Sequence, residues 1–192
     1  MFTSVAIIGR PNVGKSSLFN KLTKSRDAIV SDFPGLTKDR NYGFLNLDDN
    51  KILIIDTGGI VNESDNLKEA ISNQAWSAVE ESSFIILMLD SSENLTKDDL
   101  DILYKLRKLN KDYVIVLNKV DKKTDSLIKN DLQKEGIHSA VEISAEHSIN
   151  LSSLKSCIKK RATNIKKITY DGKKVAVLGR PNAGKSTFIN NL

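Results

Sequence analysis

An eight-residue loop occurs twice in this chain, as GRPNVGKS from Gly9 to Ser16 and as GRPNAGKS from Gly179 to Ser186. Both copies fit GxxxxGK[ST], a pattern that cradles phosphates when it joins a strand to a helix. Such a loop needs a buried strand in front of it and a helix N-terminus behind it, and so restricts the fold to α/β arrangements. Two near-identical copies 170 residues apart point to two such domains in tandem. Only Thr187 to Leu192 follow the second copy. The expected organisation is therefore a first nucleotide-binding domain over residues 1–162, a linker over 163–173, and the opening strand and loop of a second domain over 174–192.

A first domain of that length can bury a substantial core. No run approaches the roughly 18 to 20 apolar residues that span a bilayer, and Ser4 to Ile8 leads into the loop without a signal-peptide pattern. The expectation is a cytoplasmic protein with no membrane partner. Cys157 is the only cysteine, which excludes an internal disulfide and any multi-cysteine zinc site and reads as a packed helix residue. The net charge of +5 is concentrated: residues 155–174 hold eight basic side chains against one acid, Asp171. Such a cluster can hold a phosphate backbone, but without interleaved aromatics a solvated helix end and linker is the preferred reading.

Apolar runs alternate with amphipathic stretches, as for helices covering both faces of a mainly parallel sheet. Strands are expected at Ser4 to Ile8, Tyr42 to Leu47, Lys51 to Ile55, Phe84 to Leu89, Tyr113 to Leu117 and Ala140 to Ile143. Asp48, Asp49 and Asn50 read as the turn of an antiparallel hairpin. Helices are expected at about Lys15 to Lys24, Asn66 to Glu81, Lys97 to Leu109, Asp125 to Glu135 and Leu151 to Arg161, with Gly136 stopping the fourth. The fold class is thus an α/β three-layer sandwich of the P-loop NTPase kind, its six-stranded sheet carrying one antiparallel edge strand.

Within the first loop, Gly9 and Gly14 allow the backbone N–H groups to turn inward around phosphates at a helix N-terminus, with Arg10, Pro11, Asn12 and Val13 between them. Lys15 reaches the terminal phosphates and Ser16, followed by Ser17, ligates Mg²⁺. Asp56 ends a hydrophobic strand and opens DTGG, where its carboxylate can hold the metal while Gly59 offers an N–H to the last phosphate; Thr57, Gly58 and Ile60 complete that segment. Asn118, Lys119, Val120 and Asp121 form NKVD after a further strand. The Asp121 carboxylate can accept from N1 and the 2-amino group of guanine, donors that adenine lacks, so the sequence favours GTP and GDP over ATP. Ser144, Ala145 and Glu146 follow the last strand, where backbone N–H groups can meet the guanine oxygen.

With GRPNVGKS, PGLTKDR, DTGG, NKVD and SAE in order and GRPNAGKS opening the second unit, the chain resembles the EngA/Der family of tandem GTPases, bacterial ribosome-assembly proteins. The resemblance implies two GTPase domains followed by a KH-like domain that touches ribosomal RNA, with the large ribosomal subunit or its precursor as partner, and a monomer. It departs at Lys38, where TKDR stands for the usual TRDR, and at Ser148, where relatives often have glycine.

The resemblance makes Thr37 the switch residue that closes over Mg²⁺, an ordinary surface threonine being the alternative. Ile60 stands where many signalling GTPases carry a water-orienting glutamine, so hydrolysis is expected to be slow or assisted otherwise. In similar GTPases an asparagine at the place of Asn12 helps bind K⁺ against the phosphates, which implies K⁺-stimulated hydrolysis; the alternative is that Asn12 only shapes the loop. Lys15, Thr37 and Asn12 are thus the catalytic candidates and Ser16, Thr37 and Asp56 the metal ligands. Gly179, Arg180, Pro181, Asn182, Ala183, Gly184, Lys185 and Ser186 are the second phosphate loop. His138 and His147 have no partner at metal-ligand spacing, and Trp76 reads as packing. Two functions remain open: a GTP-hydrolysing switch in large-subunit biogenesis, or a nucleotide-sensing module with negligible turnover.

Overall fold

The computed structural model describes residues 3–23, 41–48, 50–57, 75–122, 127–164, 184 and 187–188. Six strands, β1 (Thr3–Ile8), β2 (Asn41–Leu47), β3 (Asn50–Asp56), β4 (Phe84–Asp90), β5 (Tyr113–Asn118) and β6 (Val141–Glu142), form one sheet in the order β2-β3-β1-β4-β5-β6. Only the β2–β3 pair is antiparallel; every other neighbour is parallel. The expected P-loop architecture with one antiparallel edge strand is borne out.

The strands read as continuous apolar runs because both faces are covered. All seven residues of β4, FIILMLD, are buried. Alternate residues feed two cores. Val5, Ile7, Phe84, Ile86 and Met88 pack with Leu18 and Leu22 of α1 (Lys15–Thr23) and with Leu154 and Ile158 of α5 (Leu151–Asn164). Ala6, Ile8, Ile85, Leu87 and Leu89 pack against α2 (residues 75–81), α3 (Lys97–Lys108) and α4 (Ile128–Lys134). At roughly 25 cal/mol per Å² of apolar surface, each of these large side chains contributes about 1.5–3 kcal/mol.

Helix ends follow from local chemistry. Thr96 and Asp99 form a reciprocal capping box at the start of α3. After α4, Gly136 takes φ +72°, its N–H bonds to Gln133 O at 2.9 Å and that of Ile137 to Leu132 O at 2.8 Å, the left-handed stop expected at that glycine. Trp76 and Cys157 are partly buried against the two cores, as packing residues.

The structure departs from the expected boundaries in several places; α4, expected from Asp125, begins at Ile128 after a non-helical Leu127. Asn50 is not a turn residue but pairs with Leu47, leaving a tighter hairpin in which Asp48 has φ +50°. β6 is limited to Val141–Glu142, because Ser144 turns back to bond Ile149 in both directions, at 3.2 and 3.0 Å. α5 runs on to Asn164, three residues past the expected Arg161, so Thr163 and Asn164 are helical. The expected helix from Asn66 lies outside the described residues before position 75, as do the loop around Thr37 and the strand before the second phosphate loop.

Candidate nucleotide site

In a parallel sheet the C-terminal strand ends share one edge, and here β1 is where chain connections diverge to either side, the place where open α/β sheets bind ligands. Ile8, Asp56, Asp90 and Asn118 end β1, β3, β4 and β5 at that edge.

The phosphate loop fits tightly between those ends. Gly9 has φ +150° and Gly14 φ +99°. A Cβ on Gly9 would lie 2.4 Å from Met88 O, and one on Gly14 2.3 Å from Asn118 Nδ2, so neither position has room for a side chain. Asn12 is left-handed at φ +65° and exposed with Pro11 and Ser16, while Val13 is buried and anchors the loop in the core. Lys15 is 8% exposed, and its ammonium donates to Gly9 O at 2.8 Å and Arg10 O at 2.7 Å. Burial pulls its pKa below the ordinary lysine value, and attraction to Asp56 opposes that shift only in part. A buried cation at a helix N-terminus, in a loop whose two glycine positions have no space for a side chain, suits an anion such as a nucleotide phosphate.

Asp56 is 1% exposed at the end of β3, and Thr57 beside it donates its hydroxyl to Ile7 O at 2.7 Å. Ser16 and Ser17 lie in the first turn of α1. Among the described residues no group of three or more His, Cys, Asp or Glu side chains could hold a metal by itself. The donor set of one hydroxyl and one buried carboxylate fits Mg²⁺, which uses few protein oxygens and takes the remainder from phosphates and water. Thr37, Gly58, Gly59 and Ile60 lie outside the described residues. So does the second phosphate loop, Gly184 excepted, which is exposed at φ +75° and accepts from Phe188 N at 2.9 Å.

Asn118 joins three loops. It is 3% exposed; its Nδ2 donates to Val13 O at 2.8 Å and its Oδ1 accepts from Ala145 N at 2.9 Å. Lys119 takes φ +68° and donates to Asp90 Oδ2 at 2.6 Å. Val120 N bonds Ile143 O at 3.2 Å, carrying the segment across the end of β6. Asp121 then stands at the surface with its carboxyl below the ordinary range, chiefly through the Ser144 hydroxyl, against a smaller opposing effect of burial. His147 Nε2 is 3.5 Å from Asp121 Oδ2, and Glu146 is exposed.

Three supporting acids escape the motif reading. Asp90 is 4% exposed; burial pushes its carboxyl up, but Lys119 and Ser92, the latter donating at 3.0 Å from N and 2.6 Å from Oγ, outweigh that and hold it low. Its signal was a carboxylate closing a hydrophobic strand, the same one that singled out Asp56. Arg10 pairs with Glu93 and lies 3.4 Å from the buried Asp99 Oδ2, binding the phosphate loop to the start of α3. Nothing local in the sequence announces that pairing.

A phosphate loop, a buried strand-end aspartate and an NKVD segment stapled to it define a P-loop GTPase. A family model described as 50S ribosome-binding GTPase matches residues 4–119 and again 174–192, and the chain belongs to that family. Within it the sequence is similar to GTPase Der of Legionella pneumophila (strain Corby), 42% identical over 194 residues, and of Saccharophagus degradans, 36% identical over 196 residues. Each match covers 100% of this chain and 42% of the relative, so the chain spans well under half the length of those proteins. The resemblance to Der read from the motifs is borne out. Among solved structures, an Era variant of Aquifex aeolicus bound to GDP and AlF4⁻ aligns with TM-score 0.67 at 33% identity, covering 82% of this chain and 56% of that one. Era in complex with MgGDPNP and a stretch of 16S ribosomal RNA aligns at 0.68 and 30%, covering 92% and 59%. The G domain of Thermotoga maritima FeoB aligns at 0.61 and 29%, covering 84% of this chain and 99% of that domain. Among the described residues no helix is long and apolar enough to cross a membrane.

Proposed function

We propose that this chain binds GTP and GDP with Mg²⁺, hydrolyses GTP as a switch, and acts in assembly of the large ribosomal subunit. The observation that carries this reading is the convergence of the phosphate loop, NKVD and SAE on Asn118, which holds a phosphate cradle and a guanine-type carboxylate in one rigid frame. Relatives named GTPase Der and Era structures holding guanine nucleotides support the nucleotide part of this reading, and the family description, 50S ribosome-binding GTPase, supports the large-subunit part. Residues 1–162 would be a first GTPase domain and 174–192 the start of a second, a division consistent with the family model matching two separate stretches.

In this proposal the N–H groups of residues 9–17 surround the phosphates and Lys15 exchanges its bonds to Gly9 O and Arg10 O for phosphate oxygens. Asp121 accepts from the guanine N1–H and 2-amino group, and Ala145 and Glu146 present N–H groups to its oxygen. Ser16 and Asp56, with Thr37, would hold Mg²⁺, which when bound neutralises charge on the terminal phosphates. Asn12 would help hold K⁺, an ion that offsets transition-state charge much as an arginine finger does. Gly59 would offer its N–H to the terminal phosphate, and because an isoleucine such as Ile60 cannot orient water, turnover would be slow without the monovalent ion.

The test is fluorescent GDP binding and phosphate release from GTP by the purified chain, with Lys15→Ala as control. Saturable binding with turnover that the variant loses supports the switch. Tight binding with no turnover in KCl would favour a nucleotide-sensing module.

A further inference from the structure

One ionisable side chain beside the guanine-reading carboxylate has no part in the function proposed above. His147 Nε2 lies 3.5 Å from Asp121 Oδ2, close enough for an ion pair once the imidazole is protonated. Its placement is fixed from the backbone. Ser144 and Ile149 bond each other in both directions, closing residues 145–148 into a tight turn, and His147 N donates to Ser144 Oγ at 3.3 Å. Ser148 at φ +59° accepts from Lys21 Nζ at 2.9 Å, tying that turn to α1. The ring is thus presented to Asp121 by two anchored segments, the Val120–Ile143 bond fixing the other side.

We propose that His147 is a pH-responsive specificity residue of the guanine site, its imidazolium competing with guanine for the Asp121 carboxylate so that nucleotide affinity falls in acid. The inference rests on Asp121 reading guanine. Two base donors draw on the negative charge of this carboxylate, and a cation held against Oδ2 neutralises part of that charge and weakens it as an acceptor. Imidazole changes charge between about pH 5 and 8, and at a 3.5 Å separation its proton alters what Asp121 can accept. Among the described residues the charged groups around the pair are Asp121 itself, Lys122 on the same loop, Glu146 adjacent to the histidine, and Lys21, which is engaged by Ser148. Asp121 stays ionised throughout that range, because the Ser144 hydroxyl holds its carboxyl low, so its own protonation does not account for a change above pH 5.

The test is GDP affinity of the whole chain at several values from pH 8 to 5.5, for the wild type and for His147→Gln, with His147→Asn as a second neutral variant. Titration of the nucleotide's own phosphates is common to all proteins and cancels in the ratio of wild-type to variant Kd. That ratio is expected to rise about five- to tenfold on acidification, the loss of part of a charge-assisted hydrogen bond. A ratio that stays flat for both variants overturns the role of His147. Asp121→Ala at pH 8 separates this from failure of the underlying reading: weakened GDP binding with a flat ratio sinks the histidine alone, whereas unchanged binding in Asp121→Ala sinks both.

Discussion

The side-chain amide of Asn118 donates to the backbone carbonyl of Val13 at 2.8 Å, joining residues 105 positions apart, while its oxygen accepts from Ala145 N at 2.9 Å. One buried side chain therefore sets the spacing between the GRPNVGKS loop and the NKVD and SAE segments. Asn118→Ala removes both bonds and the acceptor of a buried N–H. It is expected to destabilise the fold by about 2–4 kcal/mol, and to weaken GDP binding beyond what the lower stability explains. Urea midpoints and nucleotide titration under native conditions measure the two effects separately.

Glycines of this protein differ in what they exclude. At Gly136 nothing lies within 4 Å of an added Cβ, so Gly136→Ala should cost only the strain of φ +72°, about 1 kcal/mol. Gly14→Ala meets the Asn118 amide at 2.3 Å and must displace it. The expected loss is at least about 2 kcal/mol with nucleotide binding abolished. Equal costs for the two variants in thermal unfolding would contradict the packing described for the loop.

Lys119 and Asp90 form a pH-dependent brace under the NKVD loop, 2.6 Å apart with Asp90 4% exposed. Lys119→Met keeps the aliphatic stem and removes the charge, at an expected cost of about 1–3 kcal/mol at pH 7. Because the folded Asp90 carboxyl lies below its unfolded value of about 3.9, its contribution is complete above that value and is lost as pH falls through the folded one. The stability gap between wild type and variant should therefore close below about pH 4, which denaturant melts across pH 3–7 would measure.

Asn12 sits at φ +65°, where glycine is at ease and alanine is strained. That allows its side chain to be removed without disturbing the loop. Phosphate release in KCl should exceed that in NaCl for the wild type, and the two rates should be equal in both Asn12→Gly and Asn12→Ala. If Asn12→Gly keeps the K⁺ response and only Asn12→Ala loses it, the residue shapes the loop and does not hold the ion.

The sequence alone placed the described elements to within a few residues and fixed the motif positions, because both are local. A short continuous apolar run such as FIILMLD at Phe84–Asp90 reads as a doubly covered strand, and the glycine and lysine spacing from Gly9 to Ser16 fits a strand before it and a helix behind it. The same reasoning placed Gly136 at a helix stop and Asp56 at a strand end. Tertiary structure decided what no window of sequence contains. The sheet order put Asn118 beside Val13, Arg10 between Glu93 and Asp99, and His147 against Asp121. It also shortened β6, since the bond pair between Ser144 and Ile149 competes with the ladder. Such pairings depend on which strand ends share an edge, a long-range property of hydrogen-bonded register and core packing, and so they became visible only once the sheet was assembled.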